Sequence, residues 1–180
     1  METSDAHGAI RYVEGDATDP GGGGRKIIVH ICNDEGKWGK GFVLAVSHRW
    51  DAPERVYRDA FKGASAHPAL GDVQFVSVSS DVTVANVIGQ RGIQANAEGV
   101  PPVRYEAIRA GLEKVAVEAR RTGASIHMPR IGCGLAGGEW AKIEPIVLET
   151  LTAKDVGVTV YDYVAPQSSR SAAPKRSTLA

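Results

Sequence analysis

Arg130-Ile-Gly-Cys-Gly-Leu-Ala-Gly-Gly-Glu-Trp140 leaves an apolar run, Ser125 to Pro129, and enters a segment of helical periodicity, Glu139 to Leu151. Glycines at such a junction let backbone N–H groups approach an anion closely, and the N-terminus of the following helix adds favourable polarity. Gly132, Gly134 and Gly137 match the G-x-G-x-x-G spacing of a dinucleotide fingerprint, with Asp155 downstream. That fingerprint belongs in the first β-α unit of a repeated array, whereas here only one helix and one strand of chain follow it. The anion-binding physics survives this comparison and a dehydrogenase topology does not.

Outward from this loop, strand-like and helix-like patterns alternate. Ile10 to Glu14 reads as a short strand, and Lys26-Ile-Ile-Val-His-Ile-Cys32 as a strand buried on both faces. Phe42, Ala45, Val46 and Trp50 recur at helical spacing, and Asp51-Ala-Pro-Glu opens a second helix with an acidic cap and a proline in its first turn. Asp72 to Val78 and Val82 to Ile88, separated only by Ser79-Ser80-Asp81, require a tight reversal and hence an antiparallel pair. A helix from about Val103 to Arg121 carries the apolar stripe Tyr105, Ile108, Leu112, Val115 and Ala119, and Gly123 ends it. Val156 to Tyr163 closes the sheet. Pro145 falls inside the last helix, where it removes one backbone bond and crowds the preceding turn, so the regular helix is expected to start near Glu144. Strands interleaved with helices, with one antiparallel pair, indicate a mixed sheet covered on both faces.

The chain's 180 residues, 43% of them hydrophobic, suffice for one well-buried domain. It is expected over 10–164, preceded by a short extension, 1–9, and followed by a disordered tail, 165–180, of Ser, Ala, Pro and basic residues. Twenty-one acidic residues balance 21 basic ones, which argues against a grip on nucleic acid through the overall field, although a local basic patch is compatible with it. The N-terminus lacks the basic start and apolar core of a secretory signal, and no apolar run is long enough to span a bilayer, so a soluble, cytoplasmic monomer without membrane partners is expected. Cys32 and Cys133, far apart and in apolar or glycine-rich runs, read as small buried residues rather than as ligands or a disulfide. The five histidines form no His-x-x-x-His pair, so a metal has little support.

Two further loops could join the glycine loop around a phosphate-bearing nucleotide. Asn33-Asp-Glu-Gly-Lys-Trp-Gly-Lys-Gly41 again follows a buried strand and precedes a helix, and two such loops at the same strand ends could face each other across a cleft. Asn33 offers a donor and an acceptor suited to ribose hydroxyls, or it caps a turn. Lys37 and Lys40 are near enough to meet phosphate, although solvated loop lysines are common. Gly15-Asp16-Ala-Thr18 ends the first strand; its carboxylate could accept from an adenine amino group or bond its own backbone.

Gly15-Asp-Ala-Thr18, then His30-Ile-Cys-Asn33 with Gly36-Lys-Trp-Gly-Lys-Gly41, then Met128-Pro-Arg-Ile-Gly-Cys-Gly-Leu135 with Glu139-Trp140 resemble, in order, the three signature segments of macrodomains. The branch most resembled contains the terminal ADP-ribose protein glycohydrolases, over roughly Ile10 to Tyr163. The resemblance implies a three-layer α/β/α fold with a central mixed β-sheet, with ADP-ribose as ligand and no separate cofactor. It places adenine at Asp16 and Ala17. It sets the distal ribose beside Asn33, and the same ribose and the diphosphate along Gly39, Lys40 and Gly41. The backbone of Ile131, Gly132, Cys133, Gly134, Leu135 and Ala136 would wrap the diphosphate from the other side, with Tyr161 or Tyr163 flanking the ligand.

One departure bears on chemistry. The glycohydrolase branch is associated with a lysine at the end of the fourth strand and an aspartate just after Ile-Gly-Cys-Gly-Leu, and these positions here are Gln90 and Ala136. An amide and a methyl can neither form a Schiff base nor take a proton as a carboxylate does, and the guanidinium of neighbouring Arg91 is a poor nucleophile. The expected activity is hydrolysis of ADP-ribose from an acidic side chain of a modified protein by oriented water, with Asn33 and Gln90 as the catalytic candidates. The alternatives are a non-catalytic reader of ADP-ribose, or a hydrolase of a 1''-phosphate, O-acetyl or DNA-base conjugate. Neutral net charge gives a nucleic-acid substrate no special support.

Overall fold

A computed structural model of the chain describes residues 8–164; the short N-terminal extension falls mostly, and the tail wholly, outside them. The strands are β1 (Arg11–Glu14), β2 (Lys26–Asn33), β3 (Val73–Ser77), β4 (Val82–Gln90), β5 (Ser125–Met128) and β6 (Val158–Asp162). The helices are α1 (Phe42–Arg49), α2 (Ala52–Ala60), α3 (Tyr105–Thr122) and α4 (Trp140–Thr150), with a 3₁₀ turn at Thr152–Lys154. One six-stranded sheet has the order β1-β6-β5-β2-β4-β3. All neighbours are parallel except β3 and β4, the pair whose short connection demands a reversal.

Each face of the sheet carries its own core. On one, Ile28, Cys32, Val84 and Ile88 pack against Trp38 and the α1 and α2 residues Val46 and Tyr57. On the other, Val29, Val87, Ile126, Met128 and Val160 meet Ile108, Leu112 and Val115 of α3 and Ile143 and Val147 of α4. Three layers result because β2 and β4, buried along most of their length, must be covered on both faces. Gly111 lets α3 lie close on the sheet, since a Cβ there would come within 2.5 Å of Val87 Cγ1.

Two local expectations are corrected. Asp51 stands at the start of α2, but its side chain makes no capping bond, and its backbone is already helical, unlike the extended backbone usual for a side-chain cap. Helix α4 begins at Trp140 and runs through Pro145. The proline removes one intrahelical bond, while Ile143, Ile146 and Val147 on either side are buried and keep the turn in place.

The topology also fixes where a ligand can enter. From the carboxyl end of β2 the chain turns to α1 on one face, and from the neighbouring end of β5 it turns to α4 on the other. Connections that diverge in this way leave a crevice outside the strand ends, and both glycine-rich loops border it.

Candidate functional site

Loop Asn33 to Gly41 and loop Arg130 to Gly138 enclose two adjoining chambers of about 370 and 400 Å³. Both chambers are lined by Ile31, Lys40, Val43, Gln90 and Leu135, so they form one cleft with a constriction. The first also touches Asn33, Gly39, Ile93 and Gln94, and the second His30, Gly41, Ile131, Gly132, Gly134 and Ala136. The cleft thus gathers candidate residues from β2, β4 and both glycine loops.

The glycine loop is held open by its own backbone. Cys133 N–H donates to Arg130 O at 3.3 Å, Gly137 N–H to Gly134 O at 3.0 Å and Gly138 N–H to Gly132 O at 2.7 Å. Among the described residues, the amides of Gly134, Leu135 and Ala136 between these bonds donate to no carbonyl, and neither do those of Gly39, Lys40 and Gly41 opposite. Two strips of uncommitted N–H groups facing one cleft suit an anion with oxygens on both sides.

Charge points the same way. Lys37 or Lys40 borders each chamber, Arg130 borders the second, and no carboxylate lines either. Lys37 pairs with Glu35 at 3.0 Å, and Arg130 pairs with Asp162 at 2.7 Å. Lys40, common to both chambers, forms no ion pair among the described residues. Ala136, where the resemblance would place an aspartate, is 5% exposed and packs in the core beneath the loop.

The floor of the cleft is neutral. His30 is buried, and its Nε2–H donates to Asn86 Oδ1 at 2.6 Å; the Asn86 amide nitrogen in turn donates to Pro53 O and Gln74 Oε1. Burial holds the imidazole pKa down at about 4, only partly offset by the Asn86 bond. Burial likewise pushes the Cys32 thiol well above its ordinary value, which makes it a packing group rather than a nucleophile. Both cysteines are free, Cys32 buried and Cys133 half-buried with its thiol near Ile131 O.

Five candidates stand apart from the chambers, Cys133 among them. Asp16 Oδ1 accepts from Thr18 N at 2.8 Å and Thr18 Oγ1 at 2.7 Å, while its Oδ2 faces Arg49 at 3.8 Å. Ala17 is buried. Tyr161 packs beside Gly15, its hydroxyl 2.7 Å from His127 Nδ1, so of the two late tyrosines it is the one that neighbours the Asp16 turn. Tyr163 is 69% exposed. Two contributors escaped the sequence reading. The Tyr57 hydroxyl lies 2.7 Å from both Asn33 O and Asn33 Oδ1, which share its one proton, and Arg130 is clamped by Asp162 across the strand ends. Tyr57 looks like an ordinary core position of α2, and the Arg130 pair spans 32 residues of sequence; neither leaves a local signal.

Fold and cleft together define a three-layer α/β protein with an anion-receptive crevice at the carboxyl ends of parallel strands. A macrodomain protein from Streptomyces coelicolor is 51% identical, with a TM-score of 0.76 across 87% of this chain and 100% of that one. The chain belongs to the macrodomain family. A protein of unknown function from Bacteroides thetaiotaomicron is 52% identical, with a TM-score of 0.83 across 87% of this chain and 98% of that one. Chromodomain-helicase-DNA-binding protein 1-like of Mus musculus is 30% identical over 182 residues, 96% of this chain. This chain spans about a fifth of the length of that protein, 20%, and 18% of its Danio rerio counterpart. ADP-ribose glycohydrolase OARD1 of Bos taurus is 38% identical over 58 residues, 32% of this chain and 38% of that protein. No family model matches the chain. Among the described residues, no helix is long and apolar enough to cross a membrane, and no group of three or more His, Cys, Asp or Glu could hold a metal ion.

Proposed function

We propose that the protein binds ADP-ribose in this cleft and hydrolyses conjugates in which the distal ribose is esterified to an acidic protein side chain. The observation that carries the reading is the composition of the cleft: two strips of uncommitted amides, cations and no carboxylate. The amides and Lys40 neutralise the diphosphate and hold the conjugate in place. Water attacks the anomeric carbon, the bond from that carbon to the ester oxygen breaks, and the acceptor leaves as a carboxylate. The proton of the water passes by way of the ligand's own phosphate to solvent. A carboxylate leaving group needs no protein acid, which fits a site with Gln90 and Ala136 where a lysine and an aspartate would otherwise supply protein-driven chemistry. The relative named as an ADP-ribose glycohydrolase lends support at the level of hydrolysis.

The test is incubation of the purified protein with glutamate-, serine- and base-linked ADP-ribose side by side, with Asn33→Ala as control. Release of ADP-ribose from the glutamate conjugate is expected. Tight ADP-ribose binding without release from any conjugate would overturn the hydrolase reading and leave a reader of ADP-ribose, which the absence of a carboxylate in the cleft also favours.

A further inference from the structure

Asn33 faces the cleft with one polarity only. Its Oδ1 accepts from Glu35 N–H at 2.9 Å, Lys37 N–H at 3.2 Å and the Tyr57 hydroxyl at 2.7 Å. Its Nδ2 donates to Lys37 O at 2.7 Å. Three donors around one oxygen, and a carbonyl against the nitrogen, dictate which way the amide is turned. An amide nitrogen carries two hydrogens, so one N–H is left over. Asn33 lines the first chamber, so what it can offer there is a donor and never an acceptor.

Gln90, the register partner of Asn33 on the neighbouring strand β4 and a lining residue of the same chamber, shows the opposite polarity. Its Nε2 donates to Gly92 O at 2.9 Å, while its Oε1 accepts no hydrogen bond among the described residues. The segment that bears Gly92 is fixed in turn, since Gly92 N–H donates to Asp34 Oδ1 at 2.8 Å. A hydroxyl or a water between the two amides could accept from Asn33 and donate to Gln90.

We infer that Tyr57 is a positioning residue that fixes Asn33 with its donor toward the cleft, at the place where the family resemblance already sets the distal ribose. The inference rests on the proposed binding of ADP-ribose. Tyr57 has no exposed surface and cannot touch ligand. Its hydroxyl lies 2.7 Å from two oxygens of Asn33, the backbone O and Oδ1. Its ring packs between Trp38 and Phe61, with centroids at 5.4 and 5.0 Å, so Tyr57→Phe keeps the packing and removes only the hydroxyl. Without that donor Asn33 Oδ1 keeps only the Glu35 and Lys37 amides, at 2.9 and 3.2 Å, and the side chain is held less firmly against turning its oxygen toward an oxygen-rich sugar. Asn33→Asp is the companion variant. It keeps an oxygen for the donors at Oδ1 but puts a second oxygen where the N–H must be.

The experiment measures affinity for ADP-ribose and for ADP, which lacks the distal ribose, by titration calorimetry of wild type, Tyr57→Phe and Asn33→Asp. Both variants are expected to weaken ADP-ribose by about tenfold relative to ADP, the size of one lost hydrogen bond between ligand and site. An unchanged ratio of the two affinities in either folded variant, or a parallel loss for both ligands, would overturn the inference. A Tyr57→Phe protein that fails to fold would also overturn the inference, since the hydroxyl would then serve the fold rather than the orientation of Asn33. Wild-type protein that binds neither ligand would instead defeat the proposed function on which the inference stands.

Discussion

Arg130 at the start of the glycine loop grips Asp162 at the end of β6 with two parallel hydrogen bonds, Nε to Oδ1 at 2.7 Å and a terminal nitrogen to Oδ2 at 3.1 Å. The guanidinium also lies over the rings of Tyr12 and Trp140, 5.1 and 5.4 Å from their centroids. The arrangement ties the mouth of the phosphate loop to the far strands. Because the two side chains are 39% and 47% exposed, solvent screens the pair, and Asp162→Asn should cost at most about 1 kcal/mol of stability. Arg130 holds the Asp162 carboxyl below its ordinary value. The stabilisation is therefore present above the unfolded carboxyl pKa and is lost as pH falls through the lower folded one. Urea unfolding at neutral pH should separate the variant from wild type, and at about pH 3 the two should converge. A difference that persists in acid would mean that the pair acts through packing rather than charge.

Two glycines of the same loop should respond oppositely. Gly134 has nothing within 4 Å of where a Cβ would stand, so a side chain there projects freely into the cleft. Gly134→Glu is expected to fold with an unchanged melting temperature and to lose ADP-ribose, because its carboxylate occupies the place of the phosphate. Gly138 is the reverse: a Cβ would stand 2.4 Å from Gly132 O, the acceptor of the Gly138 amide itself. Gly138→Ala must distort the backbone and should destabilise the fold by about 1–3 kcal/mol, the usual cost of overpacking. If Gly134→Glu binds ADP-ribose normally, the phosphate does not sit in this loop.

The alternation of elements, the antiparallel pair and the facing of the two glycine loops were legible because each depends on short-range pattern: apolar runs, helical stripes and glycine at strand-to-helix junctions. The passage of α4 through Pro145 was not, because the loss of one backbone bond is decided against burial of Ile143 and Val147, which only the assembled core reveals. The polarity of Asn33 was hidden for a similar reason. Its governing donor lies 24 residues away on α2, where Tyr57 fits an apolar stripe equally well. Asp16 is the intermediate case, since an Asp-x-Thr turn is itself a local pattern and competes with any ligand for the same oxygen.

That competition can be separated by Asp16→Asn. The amide oxygen retains the bonds from the Thr18 backbone and hydroxyl that Oδ1 now accepts, so the turn should survive. The outward oxygen becomes an NH₂ group, which meets the adenine amino group donor to donor. Loss of a hydrogen bond to a charged acceptor costs about 1.5–3 kcal/mol, so ADP-ribose affinity should fall about ten- to a hundredfold. The hypoxanthine analogue, which presents a carbonyl in place of the amino group, should bind the variant better than it binds wild type. Unchanged affinity for ADP-ribose in the folded variant would move the adenine site away from Asp16.

Acid should weaken the fold well before carboxylates protonate. His30 and His127 are each held at a pKa of about 4, both chiefly by burial, with the Lys26 charge adding to the effect at His127. A histidine of the unfolded chain titrates near about 6.5, so on acidification the unfolded state takes up protons first. Stability present in full above that value is then lost as pH falls toward the folded pKa, at about 1.4 kcal/mol per pH unit for each histidine. The urea midpoint should drop between about pH 7 and 5. A midpoint that stays constant over that interval would show that the two imidazoles are not held neutral.

Turnover should behave differently from stability. The groups lining the cleft whose ordinary pKa values lie nearest neutrality are the His30 imidazole, kept neutral down to about 4, and the Cys32 thiol, which burial pushes upward. With no carboxylate in either chamber, nothing there can serve as a protein base that switches on through the neutral range. If water attacks with help from the ligand's own phosphate, kcat on the glutamate conjugate should be flat between about pH 6.5 and 8 once spontaneous ester cleavage is subtracted. A protein acid or base would instead impose a step or a bell. Either shape, measured under saturating conjugate, would sink the substrate-assisted mechanism while leaving ADP-ribose binding untouched.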